Sequence, residues 1–412
     1  MTSFPDMPPE PSALDGPLEP RARELGESQV EISVVMPCLN EADTVGRCIL
    51  AARKALLENG IAGEIIVADN GSTDSSVDIA TALGAKVLHV TARGYGSALM
   101  AGIAAAEGRY VIMGDADESY DFSQIPRFLA KLRAGGDLVQ GCRLPSGGGV
   151  VLPKAMPFLH RWWGNPMFSW LARLWFEAPI HDVYCGMRGF RREFQSELNQ
   201  RCTGMEFATE MIIKASLSGA QIDEVPITLH PDGRKSHPPH LKTFRDGWRT
   251  LRYFLLWCPR WLFFIPGFLL MAAGVAGYAL ALPRCSFGGI TLDAHTLLFA
   301  SLFAISGYQT ISFAVFARAF AMDEHLLPVD PLVARMVKWL TLERGLAIAG
   351  GMLLTGFVLL LSALNQWRLT GYGHLDYAHT MRFVIPGATL TTLGLQTLFS
   401  SFFLSILTIN KR

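Results

Sequence analysis

Four long stretches without a charged side chain occupy the C-terminal part of this 412-residue sequence. They cover residues 262–282, 297–317, 345–364 and 383–410. A helix of about 20 apolar residues crosses the hydrocarbon core of a bilayer. Four buried helices of one water-soluble domain are the alternative, and so many uncharged runs in close succession make it much the weaker one. We therefore predict an all-α transmembrane domain of four helices over residues 262–410.

Basic side chains flank these stretches unevenly. The segment before the first stretch, the loop between the second and the third, and the end of the chain are basic, whereas the other two loops contain only Arg284, Arg368 and Arg382 as Lys or Arg residues. Because basic loops face the cytoplasm, we predict that both termini and the region before residue 262 are cytoplasmic. The seven cysteines agree, since their number is odd, no CxxC pair occurs, and free thiols suit a reducing compartment.

The composition of the N-terminal segment and the net charge of the chain each argue against one interpretation. Residues 1–29 contain six prolines and no apolar run, which predicts a disordered tail and does not match a secretory signal peptide. Lys plus Arg and Asp plus Glu both number 36, so the net charge is zero. A nucleic-acid-binding chain of this size would show a basic excess, and we therefore expect no nucleic-acid partner.

Residues 234–261 connect the N-terminal region to the first apolar stretch. Apolar side chains recur there at alternating spacings of three and four, and a basic stripe runs beside them. This pattern is typical of a basic amphipathic juxtamembrane helix that lies on anionic lipid. A helix packed on a globular domain is the alternative. The side chains predicted to contact the membrane surface are Lys242, Arg245, Trp248, Arg249 and Arg252.

Between the tail and this helix, residues 30–233 alternate strand-like apolar runs with helical patterns. Strands are predicted at 32–36, 64–68, 86–90, 110–114 and 138–141, with helices between them, for example over 41–58 and 74–83. Such alternation indicates an α/β domain with a mostly parallel sheet covered on both faces. Ligands of these sheets bind outside the carboxyl ends of the strands. The residues directly after each strand are therefore the candidates for chemistry.

The predicted strand at 110–114 runs into Asp115, Ala116 and Asp117. Two carboxylates one residue apart repel each other, and a divalent cation relieves that repulsion. Mg²⁺ and Mn²⁺ are held in proteins by carboxylates together with substrate phosphates. A solvated acidic turn is the alternative for such a pair taken alone. The position at a strand end favours a metal site in which Asp115 and Asp117 are ligands and a diphosphate is the departing group.

Polar residues and glycines follow other predicted strands. Asp69 can accept hydrogen bonds from a base or a ribose, and Gly71 lets the chain turn after it. Gly94 and Gly96 open another helix and permit close approach of a ligand to the backbone. Each motif alone has a simpler explanation, such as Asn40 acting as a helix N-cap.

Taken together and in this order, the segments 37–41, 69–74, 94–102 and 115–117 resemble the family-2 glycosyltransferases of the GT-A fold, over roughly residues 30–230. The resemblance implies a Rossmann-like nucleotide-diphosphosugar transferase domain in which Asp115 and Asp117 hold a metal bound to the sugar diphosphate. The residues that it assigns to nucleotide binding are Pro37, Leu39, Asn40, Glu41, Asp69, Gly71, Ser72, Gly94, Gly96, Asp115 and Ala116.

Later segments at 141–149, 181–190, 204–210 and 232–236 are similar to the polyprenyl-phosphate branch of that family, which includes the dolichyl-phosphate mannose synthases. The similarity implies that Arg143, Arg161 and Arg234 meet the phosphates, for which the planar guanidinium fork is suited. It also implies that Asp182 lies close to the reacting groups. With Asp117, these four are the predicted catalytic residues.

The sequence departs from the family pattern at three places. Asn70 stands where many relatives have aspartate, and Ser119 stands where mannose synthases have a glutamine that binds the metal. Glu118, Asp121 or water is then left to complete the metal site. The four predicted spans also exceed those of many relatives.

The resemblance implies inverting, metal-dependent sugar transfer from a nucleoside-diphosphate sugar to a polyprenyl phosphate such as undecaprenyl phosphate at the cytoplasmic face. UDP-glucose is the first candidate donor and GDP-mannose the second, and a homo-oligomer is a further expectation. A lipid phosphate is already anionic near neutral pH, so it needs little help from a base. Transfer to a glycerolipid or sphingolipid hydroxyl, with Asp182 as the base, is an alternative. A non-catalytic scaffold or flippase-associated protein is another, against which the intact carboxylates and arginines argue.

Overall fold

The computed structural model describes residues 30–234, 243–283, 285–287, 290–323 and 331–407. The predicted tail at 1–29 and Lys242 of the predicted membrane surface lie outside the described residues. The described part consists of an α/β domain, a connecting helix and a set of long apolar helices.

Nine strands belong to the α/β domain. They are β1 (Ile32–Cys38), β2 (Gly63–Asp69), β3 (Lys86–His89), β4 (Tyr110–Met113), β5 (Leu138–Cys142), β6 (Val150–Val151), β7 (Arg188–Arg191), β8 (Ile222–Pro226) and β9 (Thr228–Leu229). Seven of them form one sheet in the order β3-β2-β1-β4-β7-β5-β8, and β6 pairs with β9 separately. The five strands predicted from the sequence are confirmed as β1 to β5.

The main sheet is parallel except at one strand. β7 runs antiparallel to both of its neighbours, β4 and β5. β4 and β5 are therefore parallel to each other, and their carboxyl ends lie at the same edge of the sheet as those of β1 and β2. The prediction of a mostly parallel sheet is confirmed, whereas β7 has no counterpart among the predicted strands.

Helices cover both faces of this sheet. They are α1 (Val45–Glu58), α2 (Ser76–Ala82), α3 (Tyr95–Ala104), α4 (Ile125–Arg133), α5 (Asn165–Phe176), α6 (Arg192–Glu197) and α7 (Glu206–Leu217). β1 is apolar on both sides because it is buried on both sides. Val34 packs in the core beneath α1 and α4, and Val35 packs in the opposite core with α3, α5 and α7.

The connecting helix α8 (Thr243–Trp257) packs on the α/β domain by one face. Its Phe254 is fully buried and makes edge-to-face contacts with Phe168 and Phe176 of α5, with ring centroids 5.9 and 5.4 Å away. Two apolar side chains of the same helix, Phe244 and Trp248, remain exposed. The helix thus packs on the globular domain, in line with the alternative interpretation, while another of its faces stays uncovered.

The rest of the described chain is mostly helical. It contains α9 (Ile265–Ala281), the short strands β10 (Ser286–Phe287) and β11 (Ile290–Thr291), α10 (Ala294–Asp323), α11 (Pro331–Trp339), α12 (Leu342–Leu369) and α13 (Tyr377–Leu407). α9 with the π-helical turn before it, α10, α12 and α13 are each long and apolar enough to cross a membrane. The prediction of four apolar spanning helices is confirmed.

Polar side chains join α13 to α9 and α10. Hydrogen bonds connect Tyr278 with Ser301 (2.6 Å), Tyr278 with Thr389 (2.9 Å), Tyr308 with Thr397 (2.7 Å) and Gln309 with Gln396 (3.0 Å). Such bonds between membrane helices typically contribute about 0.6–2 kcal/mol each. The three bonds to Thr389, Thr397 and Gln396 dock α13 on α9 and α10, and the bond to Ser301 joins α9 to α10.

Candidate active site

Loops distant in sequence meet at the carboxyl edge of the sheet. β1, β2, β4 and β5 all end there, and the segment 181–187 arrives at the same edge because β7 begins there. Arg188, the first residue of β7, is paired with Met113 at the end of β4 and with Gln140 of β5. This is the edge at which ligands bind in open α/β sheets.

Asp115 and Asp117 lie in the loop after β4. Asp115 Oδ1 accepts a hydrogen bond of 2.8 Å from the Tyr95 hydroxyl, and Asp117 Oδ1 accepts one of 3.0 Å from the Ser119 backbone N–H. Ala116, between them, is buried in the core. Burial and the charge of Asp117 raise the pKa of Asp115 to about 7, against the lowering effect of the Tyr95 hydrogen bond. Negative charge is thus concentrated at this loop.

The two carboxylates fit a divalent cation that takes its other ligands from phosphate and water, as Mg²⁺ does in phosphate-transfer sites. A cage made of protein side chains alone is not present: within the described ranges, no group of three or more His, Cys, Asp or Glu side chains is placed to hold a metal. Asp115 and Asp117 are the residues that would hold the ion.

The substitute ligands suggested by the sequence are used elsewhere. Glu118 pairs with Arg47 of α1 through both carboxylate oxygens, one of them at 2.6 Å. Asp121 accepts a hydrogen bond of 2.9 Å from the Ser123 backbone N–H and caps a short 3₁₀ turn. Neither carboxylate joins the pair after β4 in this structure, which leaves water as the remaining suggestion.

Arg234 reaches Asp117 from the far end of the domain. The backbone N–H of Gly233 donates to the Asp117 carbonyl oxygen (2.9 Å), so the two loops run side by side. The guanidinium of Arg234 then lies 3.2 Å from the Asp117 carboxylate, 3.0 Å from Glu41 and 2.5 Å from Asp232. Burial alone would lower the pKa of Arg234, but the Asp232 hydrogen bond and the Asp117 and Glu41 charges raise it.

The motifs after β1 and β2 bind each other. Asp69 accepts hydrogen bonds from the backbone N–H groups of Ser72 (3.0 Å) and Gly71 (3.3 Å), and Gly71 has a φ of 94° that favours glycine. Burial would raise the pKa of Asp69, yet hydrogen bonding from the Ser72 side chain and from these backbone groups holds it below its usual value. Asn40 Oδ1 accepts from the Thr73 N–H (2.8 Å), and α1 begins later, so Asn40 is not a helix N-cap.

The other first-motif residues flank this arrangement. Pro37 is the next-to-last residue of β1 and pairs with Ala68, and Leu39 follows the strand. Glu41 is buried, and its backbone N–H donates to the Ser76 hydroxyl (2.8 Å). The first motif is therefore held by β2 at Pro37, by the second motif at Asn40 and by the start of α2 at Glu41.

Gly94 and Gly96 approach protein backbone. A Cβ atom at Gly94 would lie 2.2 Å from the Thr203 carbonyl oxygen, and one at Gly96 would lie 2.3 Å from the Cys202 carbonyl oxygen. The Ser97 N–H donates to the same Thr203 oxygen (3.2 Å). In this structure the backbone that approaches these glycines is the segment before α7, and their contact with a nucleotide stays a prediction.

Asn70 organises the loop that leads into α3. Its side-chain amide N–H groups donate to the carbonyl oxygens of Val90 (3.1 Å) and Ala92 (2.8 Å), and its Oδ1 accepts from the Gly94 N–H (2.8 Å). A carboxylate can accept the last bond but cannot donate the first two. Asparagine at this position therefore has a structural reason in the loop it holds.

We predict that Asn70→Asp destabilises this loop. The new carboxylate would face two carbonyl oxygens, at one part-buried and one exposed contact, and losing two hydrogen bonds there costs about 1 kcal/mol. The expected result is a melting temperature lowered by several degrees and a raised donor KM. Asn59→Asp is the matched control, because the Asn59 amide donates to one carbonyl, Ala55, at an exposed helix end. Equal effects of the two substitutions would contradict the prediction.

Arg143 and Asp182 form a buried ion pair. Arg143 Nε and Nη2 donate to the two Asp182 oxygens at 2.7 and 2.9 Å, and the Arg143 backbone N–H adds a third bond of 3.0 Å. Asp182 is 0% exposed. Arg143 Nη1 lies 3.5 Å from the Tyr120 hydroxyl. The two residues are thus brought together at the site, with most of the hydrogen-bonding capacity of Arg143 used by Asp182.

Arg161, the third predicted phosphate ligand, lies in a π-helical turn before α5. It stands over the Trp162 ring, 5.4 Å from its centroid, and no hydrogen-bond partner for its buried Nε is found among the described residues. The neighbouring His160 lies near enough to Arg143 for that charge to lower the His160 pKa, after burial as the larger cause. The charge of Arg143 thus reaches the turn that carries Arg161.

Sequence reasoning missed two residues that hold the site together. The Tyr120 hydroxyl accepts the Gly186 N–H (2.7 Å), and Gly186 packs so closely that a Cβ there would lie 2.9 Å from an Asp115 oxygen. Arg188 is fully buried and donates to the carbonyl oxygens of Cys185 (3.0 Å) and Val183 (2.9 Å). The one sequence signal for the role of Arg188 is its place between the apolar residues Met187 and Phe190.

The fold and this edge of the sheet together define a class of protein, a nucleotide-sugar transferase of the GT-A type joined to a membrane domain. Residues 33–198 match the model for glycosyl transferase family 2, and residues 315–408 match the model for the glycosyltransferase family 2 C-terminal transmembrane region.

Relatives extend this match over most of the chain. The low-salt glycan biosynthesis hexosyltransferase Agl6 of Haloferax volcanii is 35% identical over 377 residues, which cover 91% of this chain and 89% of that protein. A dolichyl-phosphate hexose transferase of the same organism is 33% identical over 48% of this chain and 82% of its own length. Glucosyl-3-phosphoglycerate synthase from Mycobacterium tuberculosis, solved with Mn²⁺ and UDP, aligns with 56% of this chain and 80% of that one, at 21% identity and a TM-score of 0.44.

The chain belongs to glycosyltransferase family 2. It is a membrane glycosyltransferase that uses a nucleotide sugar, and its relatives include the polyprenyl-phosphate branch suggested by its motifs.

Proposed function

We propose that this enzyme transfers a hexose from a nucleoside-diphosphate sugar to the phosphate of a polyprenyl phosphate at the cytoplasmic face of the membrane. UDP-glucose is the first candidate donor and GDP-mannose the second. The observation that carries the proposal is that the carboxylates of Asp182, Glu41 and Asp117 are each paired with an arginine. This pairing decides whether the site has a free general base for an acceptor hydroxyl.

A hydroxyl acceptor requires a general base, whereas a phosphate monoester is already anionic near neutral pH. Asp182, the candidate base, is fully buried and accepts three hydrogen bonds from Arg143. Glu41 and Asp117 are paired with Arg234. This arrangement supports the phosphate acceptor and counts against a glycerolipid or sphingolipid hydroxyl. The paired, ordered carboxylates also count against a degenerate, non-catalytic domain.

The reaction then depends on positioning and charge. An oxygen of the lipid phosphate forms a bond to the anomeric carbon while the bond from that carbon to the diphosphate breaks, and the diphosphate leaves with the electron pair. Attack opposite the leaving group inverts the configuration. Arg161 and Arg234 supply the guanidinium groups for phosphate oxygens. Mg²⁺ or Mn²⁺ on Asp115 and Asp117 would supply further stabilisation of the departing diphosphate.

An apolar surface beside Arg161 suits a lipid substrate. The segment 158–174, which includes the turn before α5 and most of α5, exposes seven large apolar side chains. We call them the α5 surface: Phe158, Leu159, Trp162, Trp163, Met167, Trp170 and Leu174. Soluble proteins rarely expose a contiguous apolar patch of this size unless a partner or a membrane covers it. Trp175 of α5 stacks on Trp261, at the entry to the first membrane helix, with centroids 5.9 Å apart. We place the α5 surface, with Arg245, Trp248 and Arg252 of α8, at the cytoplasmic membrane interface.

The test is sugar transfer by the purified full-length protein in nanodiscs, with Mn²⁺ or Mg²⁺ and undecaprenyl phosphate. Radiolabelled UDP-glucose and GDP-mannose are the donors, and diacylglycerol and ceramide are the competing acceptors. Label in an acid-labile lipid phosphate product would support the proposal and name the donor. Label in diacylglycerol or ceramide alone would replace the acceptor. Donor binding without transfer to any lipid would contradict the proposal.

We predict that replacing Trp162 and Trp163 together with serine raises the KM for undecaprenyl phosphate about tenfold and leaves the donor KM unchanged, since burying one aromatic side chain contributes about 1.5–3 kcal/mol. The control is Leu57→Ser, because Leu57 is an exposed apolar residue of α1, outside the α5 surface. A parallel rise in the donor KM would show that the two tryptophans support the whole domain instead.

A further inference from the structure

The guanidinium of Arg234 is enclosed by carboxylates from three parts of the chain. It pairs with Glu41 after β1, with Asp117 after β4 and with Asp232 in its own loop, at 3.0, 3.2 and 2.5 Å. The Arg234 side chain is only 9% exposed. It is therefore a bound internal cation and not a surface arginine that samples solvent.

This internal cation lies beside the carboxylates that would hold the metal. Asp117 both pairs with Arg234 and belongs to the carboxylates that would hold the metal. The charge of Arg234 also acts on Asp115. The guanidinium thus contacts the carboxylates of Glu41, Asp117 and Asp232, and Asp115 lies two residues from Asp117 in the same loop. A divalent cation at Asp115 and Asp117 would have to approach a fixed positive charge, and like charges at such distances repel strongly.

The backbone holds Arg234 in this place. The Gly233 N–H is bonded to the Asp117 carbonyl oxygen, and a Cβ atom at Gly233 would lie 2.1 Å from a Glu118 carboxylate oxygen. Glu118 is itself fixed by Arg47. The close contact between the two loops thus limits the distance that Arg234 can retreat while its backbone remains in place.

We propose that Arg234 is a built-in counter-ion of the metal site, which makes binding of a divalent cation depend on the nucleotide diphosphate. A diphosphate offers anionic oxygens to the guanidinium and to the metal at once, so it can draw Arg234 off Asp117 while it adds ligands for the ion. The inference rests on the proposed function in one respect, namely that Mg²⁺ or Mn²⁺ binds at Asp115 and Asp117.

One consequence concerns the order of binding. The metal should enter as its nucleotide complex, and the empty enzyme should keep Asp117 neutralised by Arg234. Because linkage is reciprocal, the nucleotide must tighten metal binding by the same factor by which the metal tightens nucleotide binding. That factor is the quantity that Arg234 sets.

The experiment measures Mn²⁺ affinity by electron paramagnetic resonance, because the signal of free Mn²⁺ is lost when the ion binds. It is done with and without saturating UDP or GDP. The full-length protein in detergent is compared with Arg234→Met and Arg234→Lys. For the unaltered protein we expect weak Mn²⁺ binding alone and binding at least about tenfold tighter with nucleotide. Arg234→Met should bind Mn²⁺ alone at least about tenfold more tightly than the unaltered protein, since a fixed positive charge is removed. The effect of nucleotide on that affinity should shrink, and Arg234→Lys should fall between.

Arg47→Met is the matched control, because it removes a positive charge from Glu118, one residue from Asp117, without touching Asp117. It should change Mn²⁺ affinity much less than Arg234→Met does. A second readout is stability: Arg234→Met should melt at a lower temperature than the unaltered protein in EDTA and recover on addition of Mn²⁺.

The outcomes separate the two proposals. Unchanged or weaker Mn²⁺ binding by Arg234→Met, in a protein that binds Mn²⁺ with nucleotide, would overturn the counter-ion role and leave the proposed function standing. Equally tight Mn²⁺ binding by the unaltered protein with and without nucleotide would also overturn the counter-ion role and leave the proposed function standing. Absence of Mn²⁺ binding by every form in every condition would overturn the metal dependence of the proposed function together with this inference.

Discussion

Asp117→Asn is expected to lower sugar transfer about a thousandfold while the protein stays folded, because loss of a metal ligand removes several kcal/mol of transition-state stabilisation. Asparagine keeps the shape of the side chain, so its Oδ1 can still accept the Ser119 N–H that orders the loop. What it loses is the negative charge next to Asp115 and opposite Arg234. The measurement is the transfer rate at saturating donor and acceptor, with the melting temperature as a check of folding.

Asp121→Asn is the control for Asp117→Asn. Asp121 lies in the same acidic stretch, but its carboxylate caps the turn at Ser123 and does not join Asp115 and Asp117. We expect this variant to keep transfer within a fewfold of the unaltered enzyme. Comparable losses in both variants would mean that Asp121 supplies a metal ligand after a rearrangement, as the sequence alone had allowed.

The parts of the fold that depend on local pattern could be predicted from the sequence. Uncharged runs of about 20 residues have few outcomes other than membrane helices, and the apolar strands β1 to β5 are separated by recognisable helices. β7 could not be predicted in this way. It contains only four residues with an arginine at each end, and Arg188 is tolerated in the interior because carbonyl oxygens of 183 and 185 surround it.

The candidate site shows the same division. Asp115 and Asp117 are adjacent to a strand, so their position at the sheet edge could be predicted. The partners of these carboxylates could not, because Arg234 comes from more than a hundred residues away and is placed by the pairing of its loop with the 117–119 backbone. Gly94 and Gly96 illustrate the limit of a motif. The sequence predicts the approach of a ligand to their backbone, whereas the contact with the 202–203 backbone is known only from the fold.

Helix α8 shows why a single periodicity can carry two interpretations. Phe254 lies in the core against α5, and Arg249 lies 3.8 Å from Glu206 of α7, so part of the helix serves the α/β domain. Phe244 and Trp248 are exposed on the same helix. An apolar stripe fixes which residues avoid water, and it does not say whether protein or lipid covers them.

The buried pair of Arg143 and Asp182 gives the second large expected effect. Asp182→Asn removes the counter-charge of an almost completely buried guanidinium, and breaking such a pair on one side costs about 3–5 kcal/mol. Asparagine also cannot accept on both sides, since one of its terminal groups is a donor. We expect a large drop in melting temperature and little transfer activity, measured on the same preparation in detergent.

The double variant Arg143→Met/Asp182→Leu distinguishes stability from chemistry. Replacing both members of a buried ion pair with apolar residues of similar size is often neutral or stabilising, so we expect its melting temperature to return close to that of the unaltered protein. The family resemblance implies that Arg143 also meets a phosphate. In that case the double variant, although stable, should remain at least about a hundredfold less active, because one charged donor at a reacting phosphate is lost. Recovery of both stability and transfer would contradict that role and confine Arg143 to holding Asp182 and the 181–187 segment in place.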